Sequence, residues 1–227
     1  MKRCVIIVAG GSGSRMGANI PKQFLLLNGR PILMHTIETF YRFDKQMQII
    51  VVLPSEQHNY WNMLCQQHNF TTINYTLVEG GQTRFHSTLN GLCCAPQQGI
   101  IAVHDGVRPL VSTATLQRCF ETAVKHKAII PAIAINESVR EILPDNTNIA
   151  VNRDNYRLVQ TPQVFDAALL HQAFTQPYNP LFTDDASVVE HMGEKVTIVE
   201  GNFENIKITR PIDLIIAERL MDRTELL

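Results

Sequence analysis

The residues with the most evident chemical capacity are Gly10-Gly11-Ser12-Gly13-Ser14-Arg15-Met16-Gly17, closed by Pro21-Lys22-Gln23. Glycines let the backbone approach a ligand closely and turn N–H groups toward it, and Arg15 and Lys22 add two cations. Together they suit the oxygens of a polyphosphate. The spacing excludes two phosphate loops. A dinucleotide fingerprint starting at Gly11 needs glycine where Met16 stands, and a P-loop needs Gly-Lys-Ser/Thr where Gly10 leads to Arg15 and Gly11 to Met16. The loop is read as holding a nucleoside triphosphate. The glycines alone describe a flexible strand-to-helix connection equally well.

Two further groups could carry charge chemistry. His104-Asp105-Gly106-Val107-Arg108-Pro109 presents an acid and a base. Asp105 can bind a hydroxyl or a metal ion and Arg108 a phosphate, or the two can pair with each other. His104 and Asp105 are neighbours in an extended chain and point to opposite faces, so they do not form a catalytic couple. Lys207 lies between Ile206 and Ile208 and is costly there unless its amine reaches water or an anion, of which a phosphate is favoured. Thr183-Asp184-Asp185 reads as a helix start with a capping threonine rather than as metal ligands. No Gly-x-Ser-x-Gly elbow, His-Glu-x-x-His pair or zinc-spaced cysteine and histidine cluster occurs.

Alternating apolar runs and amphipathic stretches must position these groups. Cys4–Ala9 is unbroken apolar and reads as a strand buried on both faces. Gln48–Leu53, Tyr75–Val78, Ile100–Val103, Ile129–Ile135 and Lys195–Val199 are further strands, and Asn205–Ile208 is a short extended piece. Helices are expected over Leu33–Tyr41, Ser55–His68 with Ser55 as N-cap, from Gly80-Gly81 through Leu92, and after Ser112 with Leu116, Phe120 and Val124 on one stripe. Others are expected over Phe165–Phe174, after Thr183, and from Thr209 with Ile212, Ile215, Ile216 and Leu220 facing the core. This rhythm implies a mostly parallel, twisted α/β sheet in three Rossmann-like layers, with ligands beyond the carboxyl ends of the strands. Asn136–Leu158 breaks the rhythm with a hairpin turn at Pro144-Asp145-Asn146. It reads as a disordered loop or as a protruding β-arm, and the arm, packed on a partner subunit, is favoured.

With 227 residues, 45% hydrophobic and 18% charged, and a formal net charge of −1, the chain is long enough for one domain over 1–227. It has no basic excess for nucleic acid and no run long enough to span a membrane. Five cysteines without a Cys-x-x-Cys pair suggest reduced thiols in the cytoplasm.

Gly-Ser-Gly-Ser-Arg-Met-Gly with Pro-Lys-Gln-Phe resembles the signature of nucleotidyltransferases, most closely the cytidylyltransferases. Further collinear blocks are Gly80-Gly81 with Arg84 and Ser87, His104-Asp105 with Arg108-Pro109, Asn152-Arg153, Thr161-Pro162-Gln163, Thr183-Asp184-Asp185-Ala186-Ser187 and Asn205–Pro211. Over nearly the whole chain they resemble the 2-C-methyl-D-erythritol 4-phosphate cytidylyltransferase family of the non-mevalonate isoprenoid pathway. That resemblance implies transfer of CMP from CTP to methylerythritol phosphate. Arg15, Lys22, Arg153 and Lys207 would be catalytic. Ala9, Gly10, Gly11, Gly13, Gly81, Gln82, Ser87 and Asp105 would bind the nucleotide. Asp105, Arg108, Ser138, Arg153, Thr161 and Lys207 would bind the acceptor. It also implies Mg2+ or another divalent cation, held mainly by the triphosphate with Asp105 as a further ligand. A homodimer would form through the 136–158 arm, with Arg153 and Ser138 reaching the neighbouring site.

The sequence departs from the family pattern in three places. Gln82 stands where an acid is common, Glu137-Ser138 replaces Asp-Thr, and Gly106 replaces alanine, the last expected to matter little. The competing readings are a ribitol-5-phosphate cytidylyltransferase and a non-catalytic nucleotide sensor. An NAD-dependent oxidoreductase is disfavoured, because Leu53-Pro54-Ser55 provides no ribose-binding acid.

Overall fold

The computed structural model describes residues 1–11 and 20–224. Its core is an eight-stranded sheet. The strands β1 (Arg3–Val8), β4 (Gln48–Leu53), β5 (Thr76–Glu79) and β6 (Ile100–Asp105) run parallel in the order β5-β4-β1-β6. Two small strands, β2 (Leu26–Leu27) and β3 (Arg30–Pro31), pair with each other. Beyond β6 the sheet continues through β11 (Gln163–Asp166), antiparallel to both β6 and β7 (Ala128–Ala134). On β7, β10 (Arg157–Val159) pairs antiparallel and β12 (Thr197–Glu200) parallel. Because β10 and β11 take successive parts of β7, the chain from 157 to 166 runs along one edge of that strand, interrupted at Gln160-Thr161-Pro162.

The two faces of the sheet are covered separately, as strand alternation requires. Val5 and Ile7 of β1 face α1 (Ile32–Phe43), α2 (His58–Gln67) and α4 (Thr113–His126) through Ile37, Phe40, Trp61, Leu116 and Phe120. Cys4 and Ile6 face α3 (Arg84–Leu92), α5 (Ala167–Ala173) and α6 (Asp185–His191) through Phe85, Leu170 and Val189. The expected three layers are therefore present. Cys4, Cys65 and Cys119 are buried free thiols, and Cys93 and Cys94 are exposed. No helix among the described residues is long and apolar enough to cross a membrane.

Several expected boundaries are corrected. Ser55 does not cap a helix: after Pro54 it opens a 3-10 turn, Ser55–Gln57, that leads into α2. The helix expected from Phe165 begins at Ala167, because Asp166 accepts the Leu169 N–H at 3.0 Å and Gln163–Asp166 is a strand. Asp184, rather than Thr183, is the N-cap of α6, in a capping box with Ser187. Val124 is exposed, and Cys119 and Ala123 fill the inner face of α4 instead. Residues 205–208 form no strand. Ile208 N–H bonds the Val107 carbonyl at 3.0 Å.

The segment after Asn136 forms the hairpin β8 (Val139–Ile142) and β9 (Asn148–Val151), turning at Asn146, whose φ is 64°. Its far end differs from the expected 158, because Arg157 and Leu158 belong to β10 in the main sheet.

The face of α7 (Pro211–Thr224) is also reversed. Ile212, Ile215 and Ile216 are 55%, 56% and 43% exposed, whereas Ala217 is wholly buried with Leu214 and Met221 beside it. Two helical stripes compete in this sequence. The one containing alanine allows the closer approach to Leu27, Ile32, Val107 and Ile208. Replacing Ile215 by serine is therefore expected to change stability by less than about 0.5 kcal/mol, whereas Ile208→Ala costs about 3 kcal/mol. Urea unfolding of the two variants checks this ordering.

Candidate active site

β1, β4, β5 and β6 end on one side of the sheet, and the loops that follow them meet there. The resulting cleft is lined by Ala9, Gly10 and Gly11 after β1, Gly81, Gln82 and Arg84 after β5, and Asp105 and Val107 at the end of β6. Ser87 of α3 and Lys22, Gln23 and Lys207 complete it, around a cavity of about 230 Å³. Ser12–Asn19, including Gly13 and Arg15 of the glycine loop, lie outside the described residues.

One wall is a narrow slot built from small residues. A Cβ on Gly10 would point between Pro54 and the Ser87 Oγ, at 3.9 and 4.0 Å, so a side chain there would fill the slot. A Cβ on Gly81 would overlap His86. The Gly81 N–H donates to Ser87 Oγ at 3.1 Å, which fixes the turn before α3. Lys22 lies close against Gly11, where an added Cβ would come within 2.9 Å of its Cε. Gly106 is tighter than expected. A Cβ there would be 2.7 Å from the Ala9 Cβ and 3.3 Å from its Cα, so the change from alanine is not neutral to the spacing between the two loops.

The rest of the cleft is organised by charge. Asp105, 7% exposed, has Lys207 Nζ at 3.0 Å and Arg108 Nε at 3.1 Å from Oδ2, with Arg84 Nε 3.6 Å from Oδ1. Burial raises the Asp105 pKa, but Arg84, Lys207 and Arg108 outweigh it and hold the carboxyl well below the usual carboxylate range. Arg84 is anchored from behind, its Nη1 2.7 Å from the buried Asp185, whose other oxygen accepts the Thr88 hydroxyl at 3.1 Å. The motif that opens α6 thus supplies a counter-ion to the cleft rather than a metal ligand.

Lys207 is positioned by polar contacts of its own loop. Arg108 Nη1 donates to the Asn205 carbonyl at 2.8 Å, and Asn205 Nδ2 donates to the Thr161 carbonyl at 2.8 Å. Gln160 Nε2 donates to the Asn202 carbonyl at 2.8 Å. The sequence marks Asn205 only as the start of a matching block and gives neither it nor Gln160 a role, because an amide that pins a loop leaves no spacing signature.

Behind Asp105, its own N–H donates to Thr161 Oγ1 at 3.1 Å, and Thr161 Oγ1 lies 3.1 Å from His104 Nδ1. His104 Nε2 is 3.0 Å from the Arg108 carbonyl. A carbonyl only accepts, so Nε2 carries the proton, and neutral His104 receives the Thr161 hydroxyl hydrogen at Nδ1. Arg108 and Thr161 accordingly stand behind Asp105 rather than on the open wall. Arg153 and Ser138 are not brought to this cleft within one chain. Both are exposed at the base of the hairpin, where Arg153 Nη1 donates to the Asn136 carbonyl.

Among the described residues no group of three His, Cys, Asp or Glu could hold a metal. Among the described residues Asp105 is the one carboxylate that lines the cleft, and cations face both of its oxygens.

A parallel α/β sheet whose strand ends carry a glycine slot and a cluster of cations defines a nucleotide-binding protein suited to phosphate transfer. Residues 3–223 match the 2-C-methyl-D-erythritol 4-phosphate cytidylyltransferase family, and the chain belongs to it. A relative of that name from Bacteroides fragilis is 54% identical over 97% of this chain and 100% of its own. One from Bacteroides thetaiotaomicron is 52% identical over the same shares. The crystal structure of 4-diphosphocytidyl-2C-methyl-D-erythritol synthase from Anaerococcus prevotii is 31% identical. It superposes with a TM-score of 0.81 over 98% of this chain and 99% of that one.

His104 makes stability depend on pH. Burial pushes its imidazole from 6.5 down to about 4. The Arg108 carbonyl and the Asp105 charge oppose this shift, and the Arg108 and Arg84 charges reinforce it. On acidification the unfolded chain takes up this proton first, so the contribution is complete above about pH 6.5 and falls toward pH 4. The loss across that window is about 3 kcal/mol. Urea unfolding between pH 7.5 and 4.5 should show this decline in the wild type, and His104→Phe should lack that part of the slope.

Proposed function

We propose that the cleft transfers CMP from CTP to 2-C-methyl-D-erythritol 4-phosphate, giving 4-diphosphocytidyl-2-C-methyl-D-erythritol and pyrophosphate. The observation that carries the reading is the convergence of Lys207, Arg84 and Arg108 on buried Asp105, in the same cleft as a slot walled by Gly10, Gly81 and Ser87. Cytosine occupies the slot, with the Gly81-Gln82 turn and Ser87 at its edge. Asp105 meets the ribose and the acceptor. A phosphate oxygen of the acceptor attacks the α-phosphorus, and the bond to the pyrophosphate oxygen breaks in line with it.

The nucleophile is already an anion, so no serine or histidine base is needed. The obstacle is repulsion between two polyanions, and positioned cations are the remedy. Lys22, lying over Gly11, and Arg15 act on the charge that builds at the α-phosphate. Lys207 leaves Asp105 for phosphate when substrate enters. Arg108 and Thr161 serve the acceptor end by holding Asp105 in place. A divalent cation, magnesium for example, would arrive with the triphosphate and neutralise part of its charge. Asp105 is the carboxylate able to meet it once Lys207 has turned away.

The chain acts as a single domain with the hairpin as a dimerisation arm, which would bring the partner subunit's Arg153 and the partner subunit's Ser138 to the acceptor. Exposed Ile142, Ile149 and Tyr156 around that hairpin support this reading.

Pyrophosphate release with CTP and Mg2+ is expected with methylerythritol 4-phosphate and absent with ribitol 5-phosphate or with no acceptor. Release with ribitol phosphate would move the enzyme to the other acceptor class. CTP binding without release would make the chain a sensor. Lys22→Ala should lower kcat at least about 100-fold while weakening CTP binding far less, and a near-normal kcat would remove its catalytic role. If the arm completes the partner's site, mixing inactive Lys22→Ala and Arg153→Ala proteins should restore part of the activity by subunit exchange.

A further inference from the structure

We infer that His104 is a positioning residue for the acceptor end of the cleft, acting as a neutral, single-tautomer clamp behind Asp105 and Arg108. This rests on the transfer reading above. The clamp is a closed circuit of hydrogen bonds with one consistent direction. The Asp105 N–H donates to Thr161 Oγ1, the Thr161 hydroxyl to His104 Nδ1, and His104 Nε2–H to the Arg108 carbonyl. The Arg108 N–H returns to the Asp105 carbonyl at 3.1 Å.

Each link holds a different piece of the site. Thr161 belongs to the interruption between β10 and β11, and its carbonyl carries Asn205, two residues before Lys207. Arg108 closes the turn after β6, and its side chain reaches both Asp105 and the Asn205 carbonyl. His104 itself is wholly buried, its ring edge against Phe40 with centroids 4.8 Å apart. It has no path to substrate and acts only through the groups it holds.

A phenyl ring cannot make either hydrogen bond, and a protonated imidazole cannot accept from Thr161. Either change loosens the turn from Asp105 to Arg108. The cytosine slot of Gly10, Gly81 and Ser87 is built on other elements, and the nucleotide meets the clamped turn only where Asp105 reaches its ribose, so the effect should fall mainly on the acceptor. Glutamine at 104 retains an N–H able to reach the Arg108 carbonyl and serves as the conservative partner.

The test compares wild type, His104→Phe and His104→Gln for acceptor KM, kcat and the CTP dissociation constant. Hydrogen exchange of segment 104–109 is followed in the same proteins. His104→Phe should raise the acceptor KM and lower kcat, reducing kcat/KM for the acceptor roughly 10- to 100-fold with CTP affinity within about threefold. His104→Gln should recover part of the loss, and segment 104–109 should exchange faster in His104→Phe. Unchanged exchange in that variant, or CTP affinity falling in step with the acceptor, overturns the inference. A wild type without turnover sinks the transfer reading instead, and faster exchange in His104→Phe would still establish the clamp. If His104→Phe does not fold, the glutamine variant must show the same substrate split in smaller measure, and equal losses toward both substrates overturn the inference.

Discussion

Everything at the working end of this molecule depends on one buried carboxylate. Among the described residues Asp105, at the end of a central strand, has three cations within 3.6 Å, and at its burial it could not stay charged without them. The carboxylate keeps Arg84, Arg108 and Lys207 together where their mutual repulsion would separate them. The cations in turn keep the carboxylate ionised. The result is a compact positive cluster, with Arg84 and Lys207 on the cleft and Arg108 behind, that needs no excess of basic residues in a chain whose net charge is −1.

The cations are supplied by three distant parts of the chain, and each is tied down differently. Arg84 begins α3 and is anchored by Asp185 at the start of α6. Arg108 follows β6 directly. Lys207 comes from a loop with no regular structure, held by Asn205, Gln160 and Asn202. A loop fixed by side-chain amides can sit beside a ligand and still let its lysine exchange partners. Lys207 is the most exposed of the three cations, at 40% of its side chain.

Away from the cleft the structure exposes two apolar surfaces, the isoleucines of α7 and the hairpin with its neighbouring residues. Tight packing on Leu27, Ile32, Val107 and Ile208 selects the alanine stripe of α7, which turns its larger residues outward. The hairpin buries neither face on its own chain, since every residue of its two strands is exposed or half-buried. In α7, then, the helix buries the face that lets it come closest, which need not be the face with the most carbon.

The layers of the fold were legible in the sequence because they rest on local periodicity. Cys4–Ala9, Gln48–Leu53 and Ile100–Val103 are apolar on consecutive positions, and only a sheet covered on both sides accommodates that. The cleft's membership was legible in its motifs, where glycine, lysine and aspartate types state the chemistry directly. The tertiary structure alone decided the rest. β11 is four residues long and reads like the start of the helix that follows it, and only its pairing with β6 and β7 makes it a strand. Asp185 looks like ordinary helix-start chemistry until Arg84 is found against it, 101 positions away in the chain. The two stripes of α7 have the same period, so sequence could not choose between them. His104, which points away from Asp105 and so forms no couple with it, acquires its partners from Thr161 and from a backbone carbonyl. Contacts of that kind leave no pattern along the chain, because they are set by the packing of elements and not by the order of residues.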